Sequence, residues 1–103
     1  MATPTEIPDS VELKKLTPGS QIDVETKSRH YHIECLGGNA IRIHGHPEYC
    51  PMPVVAQFQG SIDNRGEVDA GLIERGMRLR FFILGDFPVT TSAVMDYHVE
   101  RPC

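Results

Sequence analysis

A chain of 103 residues that is 40% hydrophobic and 23% charged has the length and composition of one globular domain. Its formal net charge of −4 argues against binding to nucleic acid or to an anionic membrane, because both are polyanions. Residues 1–8 carry neither the basic nor the apolar stretch of a signal peptide, and the three cysteines make an odd count. We therefore expect a cytoplasmic protein with free thiols.

The N-terminal residues predict a flexible tail followed by a short helix. Two prolines and few apolar residues in 1–8 are typical of a tail. In residues 9–16, Asp9 can cap the first turn, and Glu12 three positions later completes a capping box. The segment Thr17-Pro18-Gly19 then ends the helix.

From Gln21 onward the hydrophobic pattern changes to a period of two, which indicates half-buried strands. Turn residues recur about every 8–12 positions, as in small all-β domains. Residues 54–62 are expected to form one of these strands, with Gly60 as a bulge or a tight bend. We predict a mainly β fold, a small antiparallel β-barrel of six or seven strands with one short N-terminal helix; a sandwich is the alternative. The domain is expected to span residues 9–95, with 96–103 as a C-terminal tail or an edge extension of the sheet.

The clearest strand covers residues 77–84. One face is apolar at every second position, with Met77, Leu79, Phe81 and Ile83. The other face carries Arg78, Arg80, Phe82 and Leu84. Apolar side chains on an otherwise polar face are typical of an interface, so these four residues predict a surface for a protein partner or for self-association. The alternative is that the N-terminal helix or the 46–53 loop covers Phe82 and Leu84.

Residues 30–46 predict a hairpin with a definite register. The apolar residues are all odd-numbered, so the turn must contain an odd number of residues, which fits Gly37-Gly38-Asn39. The expected core pairs are Cys35 with Ile41 and Ile33 with Ile43. The expected outer pairs are Glu34 with Arg42, His32 with His44 and His30 with His46.

Four of the five histidines, His30, His32, His44 and His46, therefore fall on one face of this hairpin. Neutral imidazoles at cross-strand spacing can converge on Zn²⁺, Ni²⁺ or Cu²⁺, and Glu34 or Cys50 could add a ligand. One alternative is an ordinary solvated face. Another is a proton sensor, because adjacent histidines repel one another once charged, below about pH 6.5.

Cys50 lies four positions after His46, a spacing that raises the possibility of a thiol enzyme. No orienting third group or oxyanion site accompanies the two residues, so a structural thiol is favoured. Nucleotide, protease and kinase motifs are also missing from the sequence. We therefore assign no catalytic residue and expect a protein that is not an enzyme.

One set of positions resembles a family of short uncharacterised bacterial all-β proteins. The matching positions are Leu16-x-Pro18-Gly19, Gly60-Ser61, Gly71-x-Ile73-x-x-Gly76-Met77-x-Leu79-x-Phe81 and Thr91-Ser92-x-Val94. The similarity covers residues 16–95 and rests on structural glycines and core positions. It implies one compact β domain and carries no activity. Our expectation is a non-enzymatic binding or protein-interaction module, with transition-metal binding by the histidines as the alternative.

Overall fold

The computed structural model describes residues 10–48, 50–83 and 87–101. These residues form nine strands and one turn of 3-10 helix, Leu13–Lys15. The strands are β1 (Ser10–Glu12), β2 (Gln21–Thr26), β3 (His30–Gly37), β4 (Ala40–His44), β5 (Val54–Ile62), β6 (Val68–Ala70), β7 (Leu72–Glu74), β8 (Arg78–Ile83) and β9 (Phe87–Glu100). The predicted mainly β, antiparallel architecture is confirmed. Within the described ranges, no helix has the length and apolar character needed to cross a membrane.

Seven strands form one antiparallel sheet in the order β4-β3-β2-β9-β8-β5-β6, while β1 and β7 form a separate pair. Strand β4 also pairs with β5, through Ala40 opposite Gln57 and Ile43 opposite Val54. The hydrogen-bonded pairings therefore return to their starting strand, in the circuit β4-β3-β2-β9-β8-β5-β4. One surface of the sheet consequently faces a common interior, and the other faces solvent.

The alternation of buried and exposed side chains along β8 shows which surface of the sheet faces the interior and which faces solvent. Leu79 and Phe81 are fully buried and Ile83 nearly so, whereas Arg78 is exposed. Across the interior, the ring of Tyr31 from β3 meets the ring of Phe81 edge-on at 6.4 Å. The inward residues of the other long strands are buried as well, so the interior is a packed hydrophobic core.

The predicted N-terminal helix is wrong. Asp9 lies outside the described residues, and Ser10–Glu12 instead forms β1, which pairs with β7 through Val11 opposite Ile73. Only the following 3-10 turn is helical, and the Leu13 N–H donates to the Gly71 carbonyl at 2.9 Å. A helix of two turns is marginal in isolation, so strand pairing that buries Ile73 outweighs the local helical preference. The tail predicted for residues 1–8 also lies outside the described residues.

Gly60 marks the position where β5 changes partners. Residues 54–57 of β5 pair with β4, whereas Gly60 to Ile62 pair with β6. The register between β5 and β8 shifts at this point, which confirms the predicted bulge or bend at Gly60. Its φ of 150° is one that other residues rarely adopt, and a Cβ atom there would lie 2.2 Å from the Asp69 carbonyl oxygen. Only glycine lets β6 approach this closely.

The hairpin register predicted for β3 and β4 is confirmed from Cys35 opposite Ile41 to His32 opposite His44. A register shift between Cys35 and Gly37 accommodates the extra turn residue. The ladder ends at His44. His46 pairs with Cys50 instead of lying opposite His30, since the Gly45 N–H donates to the Cys50 carbonyl and the Cys50 N–H to the His46 carbonyl.

Strand β9 is the longest element and joins the two halves of the circuit. Its first part pairs with β8, and its second part pairs with β2, from Thr26 opposite Val94 to Gln21 opposite Glu100. A register shift between Glu25 and Thr26 marks the transition. Residues 96–100 therefore lie within a strand that pairs with β2, and Tyr97 is part of the core.

A carboxyl group on β7 makes stability depend on pH. Burial and the neighbouring carboxylate of Asp69 raise the pKa of Glu74 from 4.5 to about 6. A raised folded-state pKa means that this group stabilises the fold below pH 4.5, and that the stabilisation is lost as the pH rises through about 6. The contribution of Glu74 to the free energy of unfolding should therefore decrease as the pH rises from 4.5 through about 6.

We predict that Glu74→Gln stabilises the protein at pH 7.5 by on the order of 1 kcal/mol, after allowance for solvent screening. At pH 4 the variant and the wild type should be equally stable, because both side chains are then neutral. Urea denaturation at the two pH values, followed by circular dichroism, measures the difference. Asp69→Asn is the matched control, since it removes the same repulsion from the other partner. A wild type that gains stability relative to Glu74→Gln between pH 4 and pH 7.5 would contradict the prediction.

Candidate functional site

The outer face of four neighbouring strands carries a row of histidines interrupted by one carboxylate. The strand registers place His98 of β9 opposite Asp23 of β2, Asp23 opposite His32 of β3, and His32 opposite His44 of β4. Each of these residues alternates with a core residue on its own strand, so each points outward. We call the four residues the histidine–carboxylate row.

Asp23 organises this row. Its Oδ1 lies 2.9 Å from Nδ1 of His32 and 3.7 Å from Nε2 of His30. The hydrogen bond with His32 lowers the pKa of Asp23, and the two nearby histidines add to this effect when they are charged. Asp23 is half-buried and lies on the strand between the histidines of β3 and the end of β9. It therefore supplies the negative charge around which these histidines gather.

Both nitrogens of His32 contact oxygen atoms of β2. In addition to the bond with Asp23, Nε2 lies 2.6 Å from Oε1 of Gln21. A cationic imidazolium, which donates from both nitrogens, satisfies both acceptors at once. The ring of His44 packs against that of His32, with centroids 5.3 Å apart and planes tilted by 35°. In this arrangement the nitrogens of His32 are directed to β2 and not to His44.

The four predicted metal ligands are therefore brought together only in part. His32 and His44 are adjacent and His30 shares Asp23, whereas Nδ1 of His46 accepts the Glu48 N–H at 3.0 Å. In the part of the chain that the structure describes, no group of three or more His, Cys, Asp or Glu side chains is placed to hold a metal ion. Metal binding stays a prediction.

The environment of Cys50 is that of a structural thiol. Its side chain is fully buried, and this burial raises the pKa of the thiol. The same is true of Cys35. A nucleophilic cysteine needs a lowered pKa and some exposure, so neither thiol has the properties of an activated nucleophile.

A second candidate surface is the outer face of β8, with Arg78, Arg80 and Phe82. Phe82 is half-buried and lies between Gln57 of β5 and Pro88 of β9. Nε of Arg80 donates to Oγ1 of Thr90 at 3.1 Å. Leu84, the fourth predicted interface residue, lies outside the described residues. The helix predicted as a possible cover does not form, so it does not shield this face.

The arginines of this β8 face differ from Arg42 and Arg75, which have carboxylate partners. Arg42 pairs with Glu34 at 2.7 Å and Arg75 with Asp96 at 2.9 Å. Across residues 10–48, 50–83 and 87–101, no carboxylate lies within ion-pair distance of Arg78 or Arg80. In a chain with 14 acidic and 10 basic residues, two uncompensated arginines on one strand form a local positive surface.

Sequence reasoning missed Asp23 and His98 as members of the site. The alternation of Ile22, Asp23 and Val24 does indicate that Asp23 points outward. The pairing of β2 with β9, which are separated by about 70 positions in the chain, carries no local signal in either strand. The tertiary structure alone brings His98 and the hairpin histidines to the same row.

Comparisons with protein-family models, with curated proteins and with solved structures found no match. The resemblance to short bacterial β proteins stays a prediction.

Proposed function

We propose that the protein is a non-enzymatic binding module, a small β-barrel that recognises a protein partner through the outer face of β8. The observation that carries this proposal is the composition of that face. Arg78 and Arg80 lack carboxylate partners within the described residues, and the half-buried ring of Phe82 lies beside them. Arginine and aromatic side chains are enriched at protein interfaces, where a partner removes them from water.

The packed interior supports binding at the surface. Phe81, Ile33 and Ile41 are among the side chains that fill the space between the strands, each at most 1% exposed. A small closed sheet whose interior is filled by its own side chains leaves no chamber for a ligand of substantial size. The positions open to a partner are therefore the outward residues of the strands.

The experiment compares the wild type with Phe82→Glu and with a control, Met52→Glu. Met52 is 72% exposed in the loop before β5, so its substitution introduces the same charge at an apolar site outside the β8 face. Each protein is immobilised, and an extract of the cells that express it is passed over it. We expect one defined protein to be retained in stoichiometric amounts by the wild type and by Met52→Glu but lost with Phe82→Glu. Equal retention by all three proteins would exclude the β8 face as the binding surface.

Transition-metal binding is the second candidate, and the bond between Asp23 and His32 favours it. A carboxylate that holds one nitrogen of a histidine orients the other nitrogen toward a metal, as in many metal sites. Here Asp23 engages Nδ1 of His32, so Nε2 is the ligand atom and Gln21 is the group that would be displaced. The adjacent ring of His44 is the nearest further ligand on this hairpin.

Zn²⁺ and Ni²⁺ titrations followed by NMR of the histidine side chains test this candidate. We expect selective shifts of His32 and His44 in the wild type. The shift of His32 should disappear in His44→Ala and persist in the control His46→Ala. Uniform small shifts of all five histidines would exclude a specific site.

A further inference from the structure

We propose that the protein associates with a second copy of itself as a two-fold dimer, through a surface strip on β2 and β9 that is acidic at one end and basic at the other. This proposal goes beyond the proposed function, because it concerns a second surface and a different partner from that of the β8 face. We call this surface the dipolar strip. Its acidic end contains Glu25 and Asp96, its centre is Met95, and its basic end contains Lys27, Arg29 and Arg78.

The basic end is assembled from two parts of the chain. The turn between β2 and β3 contacts β9, since the Lys27 N–H donates to the Ala93 carbonyl at 3.0 Å and the Ser28 N–H to Oγ of Ser92 at 3.2 Å. Ala93 lies directly opposite Arg78 of β8. Lys27 and Arg78 therefore flank Ala93 of β9, and Arg29 lies two residues after Lys27 in the same turn. All three side chains are exposed.

Hydrogen bonds from Thr26 hold this turn in place. Its Oγ1 donates to the Arg29 carbonyl at 2.8 Å and accepts the Arg29 N–H at 3.0 Å. Thr26 is itself buried, so the turn is anchored to the core. Among the residues that the structure describes, no carboxylate forms an ion pair with Lys27, Arg29 or Arg78. A rigid cationic surface without an internal counter-charge is suited to an anionic partner.

The acidic end lies on the same two strands. Glu25 of β2 is directly opposite Asp96 of β9, and both side chains are exposed. Like charges in directly opposed positions destabilise a sheet. Arg75 compensates Asp96 at 2.9 Å, but no cation within the described residues forms an ion pair with the carboxylate of Glu25. A cation supplied by a partner would pair with the carboxylate of Glu25.

Met95 lies between the two ends. It falls at the register shift of β9, between Val94, which pairs with Thr26, and Asp96, which pairs with Glu25. Its side chain is 55% exposed, although methionine is an apolar residue. Flexible methionine side chains are common at binding surfaces because they adapt to the surface that they meet. The strip therefore has an apolar centre between opposite charges.

This order of charges is self-complementary under a two-fold rotation about Met95. The rotation places the basic end of each copy over the acidic end of the other, and it brings the two Met95 side chains together. Each contact then occurs twice, as in any interface of two-fold symmetry, and association stops at the dimer. Exposed ion pairs contribute little individually, so we expect a weak dimer that salt dissociates.

Sedimentation of the purified protein, from micromolar to millimolar concentration and at low and high salt, tests the proposal. The acidic variant is Lys27→Glu with Arg29→Glu, and the basic variant is Glu25→Lys. Each should dimerise at least about tenfold more weakly than the wild type, because it places like charges opposite each other. A mixture of the two variants should dimerise again, since each then meets the opposite charge. Lys14→Glu with Lys15→Glu, a matched charge change on the turn after β1, should dimerise like the wild type.

Restoration in the mixture also shows that both variants are folded. A wild type that stays monomeric at millimolar concentration and low salt would overturn the proposal, as would a mixture that fails to dimerise. A monomeric wild type that still retains a defined partner through Phe82 would overturn the dimer and leave the proposed function intact. If the wild type dimerises but Phe82→Glu and the wild type retain the same proteins, the dimer is supported and the proposed binding surface on β8 is overturned.

Discussion

Gly60→Ala should destabilise the protein by more than about 3 kcal/mol, a large part of the stability of a domain of this size. The Cβ atom would lie 2.2 Å from the carbonyl oxygen of Asp69 and 3.0 Å from the Cα atom of Ala70. Both contacts are with backbone, so no flexible side chain can move away to relieve them. The φ of 150° adds strain for any residue with a Cβ atom. Relief requires β6 to separate from β5, and the Ser61 to Asp69 pairing would be lost with it.

The free energy of unfolding from urea denaturation measures this effect, and Gly66→Ala is the matched control. Gly66 has a φ of 84°, but a Cβ atom there meets nothing within 4 Å. Its substitution should cost only about 1–2 kcal/mol, the usual cost of a left-handed conformation for alanine. If the two variants were equally stable, the cost of the backbone conformation alone would explain both losses of stability. The close approach of β6 to Gly60 would then make no contribution.

Phe81→Ala should lower the free energy of unfolding by about 3–5 kcal/mol. The side chain is fully buried, and its ring packs edge-on against Tyr31 at 6.4 Å. Its removal loses the transfer free energy of the aromatic ring and leaves a cavity between strands that cannot collapse fully. The expected loss again approaches the total stability of a small domain, so the variant should be partly unfolded at 37 °C.

Phe82→Ala provides the neighbouring control, because the two phenylalanines alternate on one strand. Phe82 points outward and is half-buried, so its truncation should cost about 1 kcal/mol. Thermal and urea denaturation of both variants measure the contrast. A comparable loss at the two positions would contradict the assignment of Phe82 to the surface, and the proposed binding face of β8 would lose its aromatic residue.

The strand positions could be predicted because the physical cause of a strand is partly local. A period of two requires only that one face of the strand is buried, and β5 covers the predicted residues 54–62. The hairpin register was predictable for the same reason, since a shift by one residue would bury Glu34 and expose Ile33. The bulge at Gly60 could be predicted from a glycine within a strand pattern.

The predictions of the N-terminal helix and of the position of His46 were wrong because contacts with other segments of the chain determine both structures. Residues 10–12 have an acceptable helical sequence, but β7, about 60 positions away, offers them strand pairing and a buried contact at Ile73. His46 follows the alternation of the hairpin in sequence, yet it pairs with Cys50 across a loop. Local propensity is a weak preference, and tertiary contacts of this kind override it.

By itself, the sequence determined the class of the fold, the alternation of inward and outward residues, and the hairpin from His32 to His44, because each depends on neighbours a few positions apart. The tertiary structure alone decided that β9 pairs with both β8 and β2. That pairing assembles the histidine–carboxylate row and the dipolar strip from segments up to about 70 positions apart. The physical reason is that hydrogen bonds between strands are the same for any pair of segments. The choice of partner therefore depends on burying all the apolar faces together, a property of the whole chain.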